Sequence, residues 1–173
     1  MKLVLETDNC LHWPGGHCPA VIGKGGLIAL DNKREGDGAT PCGEFAFRRV
    51  LYRADRLDAP QTSLPCRAID PNDGWCDDPD DSAYNQPVYL PFRASAESLF
   101  RDDHLYDLLV VLGHNDQPPH PGLGSAIFFH LARKDGSGTR GCVAIAKEDM
   151  QRILQLVTKA SVLIIPEPKP CVL

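Results

Sequence analysis

The stretch GSAIFFHLARKDGSGTRGCVAIAKEDM, residues 124–150, runs from an apolar segment into a histidine, through a polar glycine-containing loop, and out through Gly-Cys into an amphipathic pattern. The apolar run ending at His130 predicts a strand that delivers the imidazole to a sheet edge. Beyond Cys142, Met150, Ile153, Leu154 and Val157 fall at i, i+3, i+4 and i+7. Glu148 and Asp149 stand early, where the helix dipole favours acids, so a helix is expected over residues 146–158. A loop returning Cys142 to the edge reached by His130 would close a Cys-His dyad, the usual way to activate a thiol. A helix start just behind Cys142, with Arg140 beside it, would favour a low-pKa thiolate.

Other short apolar or alternating segments are bounded by Gly, Pro, Asn and Asp. They are residues 3–6, 20–22, 44–52, 67–69, 88–91, 107–112, 125–131 and 161–165, and they read as strands. Fifteen prolines and fifteen glycines supply the turns. A minor second helix is expected over residues 95–101, capped by Ser95. The expectation is a mainly β fold. A chain of 173 residues with 43% hydrophobic content suits one well-buried core, hence a single domain over residues 1–173.

Charge and cysteine usage limit the partners. A formal net charge of −5 built from interspersed acids and bases invites neither nucleic acid nor an anionic membrane. No apolar run approaches the roughly 18 residues of a membrane span, and Glu6 and Asp8 interrupt the start of the chain, so a cytoplasmic location is expected. Seven cysteines without a CxxC pair read as mostly free thiols in a reducing compartment. Cys42, Cys66 and Cys76 are read as structural.

A free cysteine is more often core filler than nucleophile, and a histidine after AIFF is more often a buried residue bonded to a carbonyl than a base. The pairing of Cys142 and His130, with Gly141 permitting a tight turn, favours the chemical reading. In residues 113–125, His114, Asp116 and His120 could hold a metal, but Pro118, Pro119 and Pro121 oppose convergence. His114 and Asn115 are therefore expected to line a substrate cleft beside His130, with a plain turn as the alternative. The acidic segment 70–87 carries Trp75 and Tyr84, an aromatic pair that could shape a lid over a peptide, its acids meeting a substrate amine.

Phe129-His130, then Thr139-Arg140-Gly141-Cys142, resembles the signature of the L,D-transpeptidase catalytic domain, or YkuD, family: an apolar strand ending in the base histidine, a variable loop, and Ser/Thr-His-Gly-Cys. Thr40-Pro41-Cys42-Gly43-Glu44-Phe45 matches the family's upstream TPxG-aromatic turn. The resemblance covers roughly residues 20–165. It implies a β-sandwich of mixed sheets with a helix after the nucleophile. It also implies Cys142 as nucleophile, His130 as base, an oxyanion site around Gly141 and Cys142, and attack on the bond before the terminal D-Ala of a peptidoglycan tetrapeptide. Thr139 and Arg140 would then border the substrate. Neither metal nor organic cofactor is implied, the partners are peptidoglycan stem peptides or muropeptides, and carbapenems are expected to acylate Cys142.

The sequence departs from the family at two positions. Arg140 replaces the usual His, and Ala144 stands where the Arg of the Cys-hydrophobic-Arg continuation belongs. Carboxylate recognition then needs another cation, with Arg140 or Arg133 as candidates, although an exposed arginine is more often just solvated. The short His130–Cys142 spacing and the cytoplasmic expectation favour water as acceptor, giving an L,D-carboxypeptidase of muropeptide recycling. An amine acceptor gives an L,D-transpeptidase forming 3-3 crosslinks. Outside enzymes, the departures would mark a degenerate module that binds cell-wall peptides.

Overall fold

A computed structural model of the chain describes residues 1–167. Its strands are β1 (Lys2–Leu5), β2 (Cys10–Trp13), β3 (Gly16–Pro19), β4 (Leu27–Ile28), β5 (Thr40–Pro41), β6 (Gly43–Tyr52), β7 (Cys66–Ala68), β8 (Asp73–Cys76), β9 (Pro87–Tyr89), β10 (Ala96–Ser98), β11 (Leu108–Leu112), β12 (Phe128–Leu131), β13 (Val143–Ile145) and β14 (Val162–Ile165). A single α-helix, α1 (Lys147–Leu156), follows β13 among the described residues.

The main sheet runs β13-β12-β11-β6-β14-β1-β2-β3, with β7 added beside β6. The long strand β6 organises it. Its first half pairs antiparallel with β14 from Gly43↔Ile165 to Ala46↔Val162, and its second half pairs antiparallel with β11. Past β3, Val21 exchanges two 2.8 Å main-chain hydrogen bonds with Ala144 of β13, so the sheet nearly closes on itself. The fold is mainly β with mixed pairing, as expected from the sequence.

Side-chain alternation divides the core into two faces. Leu108, Val110 and Leu112 of β11 and Phe129 and Leu131 of β12 join the main cluster, with Phe45, Phe47 and the helix residues Met150, Ile153 and Leu154. Leu109 and Val111 face the other way, with Phe128, into a second cluster containing Trp75, Tyr106 and Cys142. That second face is covered by the small sheet β10-β8-β9. Burial on both sides explains why β12 reads as a continuous apolar run rather than an alternating one.

Three expectations are corrected here. Residues 95–101 form no helix: Ala96–Ser98 is β10, paired with Ser98↔Gly74 and Ala96↔Cys76, its main chain satisfied by the ladder with β8 instead of by helical hydrogen bonds. The only further helical turn among the described residues is a 3-10 turn at Leu30–Asn32. Segment 70–87 is not a lid. Trp75 packs edge-on against Phe128 with ring centroids 5.2 Å apart and donates Nε1–H to Asn85 Oδ1, while Tyr84 is buried and donates its hydroxyl to Glu35. Finally, α1 forms within the expected residues 146–158, but β13 separates it from Cys142, so the helix dipole expected to favour the thiolate lies beyond the thiol.

Cys10, Cys18, Cys42, Cys66, Cys76 and Cys142 are unpaired. Cys42 and Cys76 are buried as structural residues would be, whereas Cys66 is exposed on β7. Cys171 lies outside the described residues.

Candidate active site

Parallel pairing of β12 with β13 sets His130 opposite Ala144 and Phe129 opposite Val143. Phe128 and Cys142 thus stand one step down on the same face as His130, the face turned to the second cluster. The sulfur is fixed there by main chain: the Cys142 thiol donates to Ala126 O at 3.2 Å and accepts from Phe128 N at 3.3 Å. His130 donates Nδ1–H to its neighbour's carbonyl, Leu131 O, at 2.8 Å, which leaves Nε2 as the basic nitrogen. Its ring meets the Tyr106 ring edge-on, centroids 5.3 Å apart. Tyr106 is in turn held by its hydroxyl on Glu97 at 2.9 Å. No hydrogen bond joins Cys142 to His130 among the described residues.

Burial dominates the electrostatics. It pushes the Cys142 thiol up to about 12, against a lowering contribution from the Phe128 N–H; the Glu97 carboxylate raises it further and Lys33 lowers it. Burial likewise brings His130 down to about 4, partly opposed by its bond to Leu131 O. Both groups are neutral at pH 7. The low-pKa thiolate expected from Arg140 and a helix dipole is therefore not the resting state: Arg140 is exposed and the helix starts too late.

The turn before the nucleophile is tightly specified. Gly141 has φ +133°, and a Cβ there would sit 3.0 Å from Ala39 O, so glycine is required on both counts. Thr139 Oγ1 accepts from Gly141 N at 3.1 Å and donates to Cys142 O at 2.6 Å. Thr40, the first residue of the upstream TPxG turn, donates Oγ1–H to the same carbonyl at 3.4 Å. The two sequence landmarks thus converge on the Cys142 main chain. Since Thr139 occupies the Gly141 N–H, the donor left open beside the sulfur is the Cys142 N–H, which no described residue accepts.

Cys142 and His130 open onto a cavity of about 960 Å³. Thr139, Arg140 and Arg133, from the loop between β12 and β13, form one border, and Lys24 and Lys33 another. Glu97, Asp77 and Arg101 line the wall that carries Tyr106. Lys24 and Arg140 are exposed and have no ion-pair partner among the described residues, whereas Arg101 is paired with Asp103 at 2.7 Å. Ala144, paired in the sheet between His130 and Val21 and 1% exposed, lines the same cavity, so the position of the missing arginine faces the cleft without a cation.

His114 and Asn115, expected to line the cleft, do not border it. His114 is buried, donates Nε2–H to Leu123 O at 3.1 Å, and is brought to about 4 by desolvation. Asn115 adopts φ +47° and ties the loop together through His120 N, His120 O and Gly124 O. The proline-rich segment is a self-bonded turn. Asp116 is paired with Arg48 at 2.7 Å, and among the described residues no group of three or more His, Cys, Asp or Glu is arranged to hold a metal ion. Trp75 belongs to the second cluster and Tyr84 is buried against Glu35; neither lines the cavity. Conversely, Tyr106, Glu97 and Lys33 were not legible as site residues: each is separated in sequence from both motifs, and a buried lysine carries no pattern of its own.

Fold and site together define a mainly β domain that presents a thiol and an imidazole to a charged cleft, the arrangement of cysteine acyl transfer. Residues 6–165 match the family model of the L,D-transpeptidase catalytic domain, YkuD, and the chain belongs to that family. The family acts on peptidoglycan peptides and is generally inhibited by carbapenems. No curated protein matches the chain.

Proposed function

We propose that the chain is a cysteine-dependent L,D-carboxypeptidase that removes the terminal D-Ala of peptidoglycan tetrapeptides. The observation that carries this reading is the Cys142 sulfur, held between Ala126 O and Phe128 N on the cavity face shared with His130. Substrate binding expels water and brings an electrophilic carbonyl to the sulfur. His130 Nε2 takes the thiol proton as the C–S bond forms, so the ion pair exists only as the reaction proceeds. The Cys142 N–H meets the developing oxyanion. The imidazolium returns its proton to the departing amine of D-Ala, leaving a tripeptidyl thioester. Water, deprotonated by His130, then releases the tripeptide and restores the thiol.

Support for water as acceptor comes from the cleft border. Arg133, Ser137, Gly138, Thr139 and Arg140 all line the cavity, so the loop between β12 and β13 folds against the site rather than away from it. A crosslinking enzyme needs room at the sulfur for a second stem peptide, which a loop folded against the site restricts. The six free thiols of the described residues agree with action on recycled soluble peptides in a reducing, cytoplasmic setting.

One observation favours a second reading, a module that binds cell-wall peptides without turnover: the resting thiol and imidazole are both neutral and not bonded to each other. Product analysis separates the readings. The tetrapeptide at high concentration yields tripeptide and D-Ala for the carboxypeptidase, 3-3 crosslinked dimer for the transpeptidase, and unchanged peptide for the binding module. Dominant dimer, or exchange with added D-amino acids faster than hydrolysis, would refute water as acceptor.

A further inference from the structure

The His130 imidazole is bonded at one atom only. Nδ1–H donates to Leu131 O at 2.8 Å, while Nε2, the nitrogen that must take the thiol proton, has no hydrogen-bond partner among the described residues. One bond to the next residue's carbonyl leaves the ring a broad range of tilts. What limits that range is Tyr106, 6% exposed, whose ring meets the imidazole edge-on with centroids 5.3 Å apart. The same ring meets Phe128 edge-on at 5.7 Å, and the Phe128 N–H is the one that binds the Cys142 sulfur. Tyr106 is thus wedged against both the base and the residue that anchors the nucleophile. Packing alone would need only a phenylalanine here. Instead the phenol donates to Glu97 Oε1 at 2.9 Å, and Glu97 lines the catalytic cavity. The Arg101 guanidinium lies over the Tyr106 ring, 5.1 Å from its centroid, and bonds the same Glu97 oxygen at 3.3 Å. Two bonds to Asp103, at 2.9 and 2.7 Å, fix Arg101 in turn.

We propose that Tyr106 and Glu97 form a strut that positions His130: the Glu97 carboxylate fixes the phenol, and the fixed ring sets the tilt of the imidazole at which Nε2 takes the Cys142 proton. The inference rests on His130 being the base. Cys142 and His130 are offset in register and not bonded to each other, so proton transfer depends on where the imidazole stands when the C–S bond forms. A misplacement of about 1 Å at a reacting group costs on the order of 10² in rate. An edge-on aromatic pair prefers one mutual geometry, and a ring held at its hydroxyl transmits that preference to its neighbour. Tyr106 moves no proton itself: burial, then the Cys142 and Glu97 charges, hold its hydroxyl well above the usual phenol range, so it remains a donor at neutral pH. It is a positioning residue, and Glu97 acts on the base through it.

The test is a double-mutant cycle in the full chain, read by turnover of the tetrapeptide and by NMR of the His130 ring, assigned with His130→Gln. Tyr106→Phe and Glu97→Ala should each lower kcat by about tenfold with KM changed less than about threefold, as for a misplaced reacting group rather than lost binding. Combined, they should lose no more than either alone, because both release the same ring. Glu97→Gln, whose amide oxygen still accepts the phenol, should recover most of what Glu97→Ala loses. In the spectra, the His130 ring signals should be sharp in the unmodified chain and in Glu97→Gln, and broadened in Tyr106→Phe and Glu97→Ala. Losses that multiply, turnover unchanged in Tyr106→Phe, Glu97→Gln as slow as Glu97→Ala, or equally sharp ring signals in every variant would overturn the strut. The ring signals decide even where the tetrapeptide is not turned over. Failure of the base reading looks different: His130→Gln would lose less than about tenfold in turnover while the broadening in the strut variants remains.

Discussion

Cys142 and His130 share one face of the parallel β12–β13 pair but are offset by one register step: His130 stands opposite Ala144, and the Cys142 sulfur lies 3.3 Å from the N–H of Phe128. The imidazole and thiol are therefore neighbours without a preformed bond, and the energetics of the site follow from that offset. Removing either side chain should affect rate and stability differently.

Cys142→Ala abolishes turnover. It also leaves the Phe128 N–H and Ala126 carbonyl without their sulfur partner inside the second cluster, so it should destabilise the chain by about 1–2 kcal/mol. For a chain of this size that lowers Tm by a few degrees. Cys142→Ser should be equally inactive; calorimetry alongside the peptide assay checks both effects.

His130→Gln removes the base while keeping a polar group near the Leu131 carbonyl. General base catalysis contributes on the order of 10² to 10⁴ in rate, and kcat/KM should fall by that factor. A loss under tenfold, with folding unchanged in circular dichroism, would remove His130 from the proton path.

Iodoacetamide should label Cys142 slowly at pH 7, because burial holds the thiol near 12, with the rate rising steeply above about pH 9 while the fold persists. Fast labelling at neutral pH would show that the thiolate is already formed. Slow labelling does not by itself mark a binding module, since the proton leaves only as substrate reacts.

The two buried histidines make stability depend on acid. His114 and His130 each fall from the ordinary 6.5 to about 4 in the folded chain. Between those values the unfolded chain binds protons that the folded chain refuses, so stability is full above about pH 6.5 and declines as pH falls toward 4. Tm measured from pH 7 to pH 4 should drop, and His114→Gln should lessen the slope. A Tm flat across that window would contradict the buried, neutral histidines.

Much of the main sheet and the helix were legible because their patterns carry their own period: β6 in alternation, β11 as an apolar run, and α1 in Met150, Ile153 and Leu154, whereas β2 and β3, with His12 and His17 among few apolar residues, carry no such pattern. β13 was hidden, since Val143–Ile145 is three residues long and runs straight into the helix. The small sheet was misread for a physical reason. Its aromatics sit in an acidic, turn-rich segment whose composition suggests solvent, yet Trp75 and Tyr106 enclose Phe128 and give the nucleophile its buried setting. Pairing the local motif with the upstream turn located Cys142, His130 and Thr40. Lys33, Glu97 and Tyr106 come together only at a cavity that the three-dimensional fold creates.

Carbapenem acylation tests whether the cleft admits the family's inhibitors: intact mass should show one adduct per chain, mapped to Cys142. No adduct after long incubation, with Cys142 still alkylatable at high pH, would show that the Arg140 border excludes them.

The central claim is a tripeptidyl thioester on Cys142 that water resolves. Rapid acid quenching of the chain during turnover of the tetrapeptide, followed by intact mass and peptide mapping, should reveal a tripeptidyl adduct confined to Cys142, which decays to free tripeptide. Steady release of D-Ala with no adduct at Cys142, or release that persists in Cys142→Ala, would contradict it.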